Sequence, residues 1–317
     1  QATLNLNSKN TDEITISASA TSKNNKHDVL ISRFHIKENI LSAINNITKL
    51  PNEVLRLGTV DARGRLTAEG DVMHPTQITV DADAQASRIG SVDVNGAYKN
   101  DYLKLSIKTP NLNLNEITKK SLGKVVCDLN IGADIIQKDE IYDVRAIKVE
   151  GKIPEITIQE RIYRNISIDS KYDRGRIKGL FAINDSKART NIDIDALLNQ
   201  RSFQIHVPKE GNNKDKKVSI KGIDFANILP NIHNLTADIT GTHFVMKNGK
   251  EVDVDNIHID KTSPSRDSTK LIVSTDFAQL EISGAIDFQT LPYSIANIVS
   301  HHLPSAPGLP KQHKVNN

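Results

Sequence analysis

The sequence predicts a mainly β protein: an elongated, curled amphipathic sheet, groove- or taco-like in the manner of an irregular solenoid, with only short helices. Three observations predict it. Apolar residues recur at every second position over most of the chain, the aromatic content is only 4%, and the apolar material is mainly Ile, Leu and Val. Period-two spacing places one set of side chains on one face of a strand. Branched side chains pack well on a pleated surface.

The first alternating run is Leu4, Leu6, Ile14, Ile16, Ala18 and Ala20. A helical period replaces it at Glu38 to Leu50, where Ile40, Leu41, Ile44 and Ile47 share one face before Pro51, so a short amphipathic helix is expected near 38–49. Strands follow at Leu66 to Val72, Ile78 to Ala86, Ile89 to Tyr98, Leu103 to Ile107 before Pro110, Val125 to Ile135 and Val144 to Ile158. A hairpin is expected from Ile166-Ser167-Ile168 and Ile177 to Ile183, turning at Asp173-Arg174-Gly175-Arg176. Further strands are expected at Asn191 to Ile194, Phe203 to Val207, Val218 to Ile223, Leu235 to Met246, Val252 to Ile259, Leu271 to Thr275 and Leu280 to Phe288. Residues 1–289 thus form one repeated strand segment. Residues 290–304 read as a short amphipathic helix with Leu291, Ile295, Ile298 and Val299 on its stripe, and 305–317 as a polar tail or linker.

Composition narrows the functional class. With 38% hydrophobic and 25% charged residues over 317 positions, the chain has material for a substantial core and is neither disordered nor membrane-embedded. The net charge of +3 is spread in small alternating groups. No field for a polyanion results, and nucleic acid is not an expected partner. The basic run Lys209 to Lys217 reads as a solvated hairpin loop. Cys127 is the single cysteine, so an intrachain disulfide and a thiolate cluster are excluded. It reads as a small sheet residue.

No chemistry-bearing motif stands out, and no enzyme is expected. His301-His302 diverge on a helix without a nearby carboxylate or thiol. His233, His243 and His258 follow no metal-ligand spacing. Glu251-Val252-Asp253-Val254-Asp255 alternates carboxylates with inward valines, as a strand with one wet face does. No metal or cofactor is expected.

Three stretches carry a family resemblance: Leu103 to Leu114 (LKLSIKTPNLNL), Leu235 to Thr242 (LTADITGT) and Ser274 to Phe288 (STDFAQLEISGAIDF). They resemble the periplasmic TamB and broader AsmA-like group, in particular its long Bacteroidetes-type members. The resemblance implies a periplasmic, inner-membrane-anchored bridge for phospholipid transport and outer-membrane biogenesis, this chain being a segment that begins at Gln1 without the anchor. It also implies phospholipid acyl chains as cargo, an outer-membrane assembly protein as a further partner, and contact with the remainder of a longer chain. The alternatives are a scaffold aiding outer-membrane protein assembly or secretion, and a structural β-solenoid or adhesin. A conduit needs a continuous apolar face. Ile166, Ile168, Ile177, Phe181, Ile183, Ile192 and Ile194 are the groove candidates, with Ser167, Lys178 and Asp193 facing water. About 20 strands at ~4.8 Å would span roughly 95 Å.

Overall fold

The computed structural model describes residues 2–7, 13–47, 50, 52–71, 75–115, 122–138, 141–158, 161–198, 203–206, 219–221, 232–245, 249–265, 268–286 and 290. The protein is mostly strand, in one large antiparallel sheet that does not close, with few helices, as a curled sheet requires. Of the expected helix at 290–304 only Thr290 is described; the polar tail at 305–317, the basic run and His301-His302 lie outside the described residues.

The strands are β1 (Ala2–Asn7), β2 (Ile14–Lys23), β3 (Lys26–Ile36), β4 (Val60–Gly70), β5 (Pro75–Ala86), β6 (Gly90–Lys99), β7 (Tyr102–Asn113), β8 (Leu122–Lys138), β9 (Ile141–Ile158), β10 (Arg161–Asp173), β11 (Arg176–Asn184), β12 (Ala188–Leu198), β13 (Phe203–His206), β14 (Ser219–Lys221), β15 (Ile232–Val245), β16 (Glu251–Ser265), β17 (Ser268–Thr275) and β18 (Gln279–Gly284). Sequence neighbours pair from β1 through β12, and β15 then follows β12 directly, leading on to β18. β13 departs from this meander. It crosses back to pair with the start of β9, Phe203 opposite Val144, and carries β14 on its other edge. Sixteen strands therefore run in series, about 72 Å at ~4.8 Å per step, shorter than the roughly 95 Å expected.

Local chemistry explains the hairpins. Three of them turn on two residues that both hold positive φ: Asn24 and Asn25, Asn100 and Asp101, and Arg174 and Gly175. Two consecutive left-handed residues make a type I′ turn, whose twist matches that of the flanking strands. Asn, Asp and Gly accept that conformation readily; Arg174 is the exception.

The helix expected near 38–49 is α1 (Glu38–Ile47), followed by the unexpected single turn α2 (Asn52–Leu55). α1 buries Leu41 and leaves Ile47 89% exposed. Glu38 pairs with Arg88 in the β5–β6 turn, fixing the helix beside the ends of β3 to β6, where Ile36 and Ile89 are also buried. Among the described residues no helix is long and apolar enough to cross a membrane.

Cross-strand register shows how the two faces differ. One rung runs Leu4, Ala18, Ile31, Gly64, Ala82, Val94, Ile107, Leu129, Gly151, Ile168, Phe181, Ile192, Ile239, Ile257 and Thr275, each residue opposite the next. It crosses fifteen strands and is apolar or small until its last member. One residue away, on the other face, runs Arg63, Asp83, Asp93, Lys108, Asp128, Lys152, Ser167, Ala182, Asn191, Thr240 and Asn256. That face is laced with ion pairs such as Arg65–Asp28, Arg176–Asp195 and Lys108–Asp128. The Arg65 hydrogen bond holds the Asp28 carboxyl below its usual range. Asp195 is lowered chiefly by its hydrogen bond from Arg176, with Lys178 adding to it.

The dry core is local. Val144, Tyr172, Ala196, Leu198, Phe203 and Ile232 cluster where β13 crosses back, and Ile135, Ile147, Ile177, Ile194, Ile205 and Leu235 pack against them. The rings of Tyr172 and Phe203 meet at 6.0 Å and 53°. Outside this cluster Ile166, Ala237 and Leu271 are also buried on the apolar face, whereas much of the rest is half-buried or exposed.

Candidate apolar trough

The apolar face is built by alternation and kept continuous by bulges. β3 is out of register with β4 between Ile31 and Phe34, and the ladder resumes with Phe34 opposite Ala62, so both Ile31 and Phe34 fall on the apolar face. In β10, Asn165 sits at φ 53. Before it Tyr163 is the sheltered residue and Ile162 the exposed one; after it the even positions Ile166, Ile168 and Tyr172 are sheltered. The register with β9 does not shift there, Arg164 lying opposite Glu155 and Ile166 opposite Ile153, so the change of sheltered positions goes with a single left-handed residue and not with an inserted one.

Small residues mark where strands converge on this face. A Cβ added at Gly64 would lie 2.8 Å from Ala82 Cβ and 3.0 Å from Asp81 O. Directly opposed Cβ atoms in a flat antiparallel pair are about 4.5–5.5 Å apart, so β4 and β5 close toward each other here. At Gly179 the nearest atom would be Ser170 Cβ at 3.0 Å, on the same face.

Exposure along the face is uneven. Leu4 is 56% exposed, and Leu6, Val29, Ile31 and Leu66 are also exposed. By contrast Ile166, Tyr172, Ala196, Ala237 and Leu271, farther along the same face, are buried. One charged group lies among the latter: Lys261, 1% exposed, opposite Leu235 and Leu271, donating to the carbonyl of Ile232. Burial pushes its ammonium below the usual lysine range.

The seven groove candidates all fall on the apolar face, in four adjacent rungs. Ile168, Phe181 and Ile192 oppose one another on the long rung; Ile166 opposes Ile183 on the next. Ile194 pairs with Gly179, and Ile177 pairs with Tyr172 and Ala196. Ile177 and Ile194 pack against the dry core, and Ile166 is buried, whereas Ile168, Phe181, Ile183 and Ile192 are half-buried. Ser167, Lys178 and Asp193 lie on the polar face, as expected. The more open stretch at Leu4, Val29, Ile31 and Leu66 was not among the candidates, although its alternation in β1 and β2 is visible in sequence.

The polar face carries its own shallow depressions across β9 to β16, including one of about 760 Å³ bordered by Lys152, Asn165, Asn184, Arg189, His243 and Asp255. Leu180, 57% exposed, lies on that face beside a second depression. His243 and His258 do not come together; each bonds a cross-strand carboxylate, Asp253 at 2.7 Å and Asp238 at 2.6 Å. Cys127 sits half-buried in β8, its Sγ 3.2 Å from Thr109 Oγ1. No family model matches the chain, and neither a curated protein nor a solved structure matches it.

Proposed function

We propose that the chain is a non-catalytic carrier of acyl chains, a periplasmic segment of an inner-membrane-anchored bridge for phospholipid transport and outer-membrane biogenesis of the TamB and AsmA-like kind that its sequence resembles. One observation carries the reading: a rung of apolar or small residues continuous over fourteen antiparallel strands, on a face that stays open at Leu4, Val29, Ile31 and Leu66 instead of closing into a dry core along its whole length. A coil that buried its alternating residues in a closed core would leave no such surface. An extended sixteen-carbon chain, about 20 Å long, would lie across about four strands at ~4.8 Å each. Burial of its surface favours association by about 25 cal/mol per Å² before ordering costs, with no reactive side chain needed.

The test is photo-crosslinking from Ile31, Ile168, Phe181 and Ile192, with Ser167 and Asp193 as polar-face controls and circular dichroism to show that each variant folds. Acyl-lipid adducts from the apolar positions alone are expected. Folded variants that give none, under conditions that label a known lipid carrier, would remove the carrier reading.

A further inference from the structure

Three histidines in the sheet make the same contact: His35 bonds Asp61 at 2.6 Å, His258 bonds Asp238 at 2.6 Å and His243 bonds Asp253 at 2.7 Å, each through Nδ1 and each across one strand pair. Such a pair is ordinary on a polar sheet face. Only the third has more. Glu251 lies two residues before Asp253 on the same face of β16, diagonal to His243, and one ligand atom from each of His243, Glu251 and Asp253 lies within 4.8 Å of the others. Among the described residues this is the one such gathering.

We propose that His243, Glu251 and Asp253 form a binding site for a borderline divalent cation of the Zn²⁺ class, separate from the apolar trough. Imidazole with two carboxylates is a donor set that suits Zn²⁺ better than the all-oxygen ions. Ligands held at about 2.0–2.1 Å in a tetrahedral site stand about 3.3–3.4 Å apart. The exposed carboxylates reach that spacing by side-chain rotation, while the ring of His243 is already held in the sheet, its side chain only 15% exposed. The His243–Asp253 hydrogen bond gives way to a shared metal. Three protein ligands leave a fourth position open, and the polar depression adjoins it with Asn184, Asp255 and Arg189, the last being His243's other cross-strand neighbour. Bound metal would tie β15 to β16 near their hairpin end.

Titration of the full chain with ZnCl2 by calorimetry, and with Co²⁺ by visible absorption, tests the site. One saturable ion per chain is expected, abolished by His243→Ala and weakened at least ten-fold by Glu251→Gln, with His258→Ala leaving it unchanged. Glu251 is exposed, so its variant reports even if His243→Ala fails to fold. Absence of saturable binding, binding untouched by Glu251→Gln, or equal loss in His258→Ala would overturn the assignment.

Discussion

Replacing Gly64 by Ala adds one methyl group at the point where β4 and β5 converge on the apolar face. Gly64 has ordinary extended backbone, with no positive φ, so Ala is allowed there on conformational grounds. Chain entropy alone would then make the substitution stabilising by about 0.4–1 kcal/mol. The new Cβ, however, would stand 2.8 Å from Ala82 Cβ, 3.0 Å from Asp81 O and 3.1 Å from Ala82 Cα, all atoms fixed to the neighbouring backbone. Overpacking of this sort costs about 1–3 kcal/mol, so the net expectation is a loss of about 1–2 kcal/mol. Urea unfolding followed by circular dichroism measures it. Gly179→Ala, where the nearest atom is 3.0 Å away and the next 3.5 Å, should cost less. Gly249→Ala meets nothing within 4 Å but holds φ at 79, and should cost about 1–2 kcal/mol through backbone strain alone. If Gly64→Ala left stability unchanged or raised it, the strands would not converge as described.

Other outcomes follow from the core and the charges. Phe203→Ala removes the ring that meets Tyr172 under the β13 crossing, and should cost about 3–5 kcal/mol in the same assay. Lys261 has a folded-state pKa below its unfolded value, so the unfolded chain binds more protons between the two and stability rises with pH across that window. The stability of the native chain relative to Lys261→Met should therefore increase as pH approaches about 10.4, the unfolded value. Asp195 is the opposite kind of group: its lowered pKa gives stability that is present above about pH 4 and lost as pH falls through the folded value. Arg176→Gln should move the Asp195 carboxyl upward toward its usual range, read by carbon NMR, and flatten the acid limb of a thermal-stability profile.

The period-two pattern made the fold class legible because almost every strand has one wet face. Where reading failed, the cause is local. β3 was missed: Val29-Leu30-Ile31 is an unbroken apolar run, with Leu30 on the polar face opposite Ser19 and Arg65, and the shift after Ile31 breaks the alternation again. Pro110 read as a stop, yet β7 continues to Asn113, because the shift between Thr109 and Leu112 takes the proline out of the ladder where its missing N–H is not needed. The hairpin at Arg174-Gly175 was legible from its turn residues. The crossing of β13 to β9 was not, since four residues of strand say nothing about a partner some sixty positions earlier. That crossing is what withdraws Ile177 and Ile194 from the open face into the core.

The apolar face thus has two regimes, and a single kind of substitution separates them. Ile31 is 37% exposed and stands between Ala18 and Gly64, which leave space around it. Ile166 is 6% exposed, between Ile153 and Ile183. Aspartate at Ile166 must either lose its charge or bury it without a partner, a cost of several kcal/mol, so Ile166→Asp should lose more than about 4 kcal/mol, the range reserved for such defects. Aspartate at Ile31 keeps its water and forfeits only part of the roughly 1.5–3 kcal/mol that full burial of such a side chain supplies. Ile31→Asp should therefore fold with a loss of about 1–2 kcal/mol, and the folded variant should no longer give acyl-lipid adducts at neighbouring Val29 and Leu66. Equal, large losses at both positions in urea unfolding would mean that the face is closed along its whole length. A trough would then have no surface to offer a lipid, whatever its continuity.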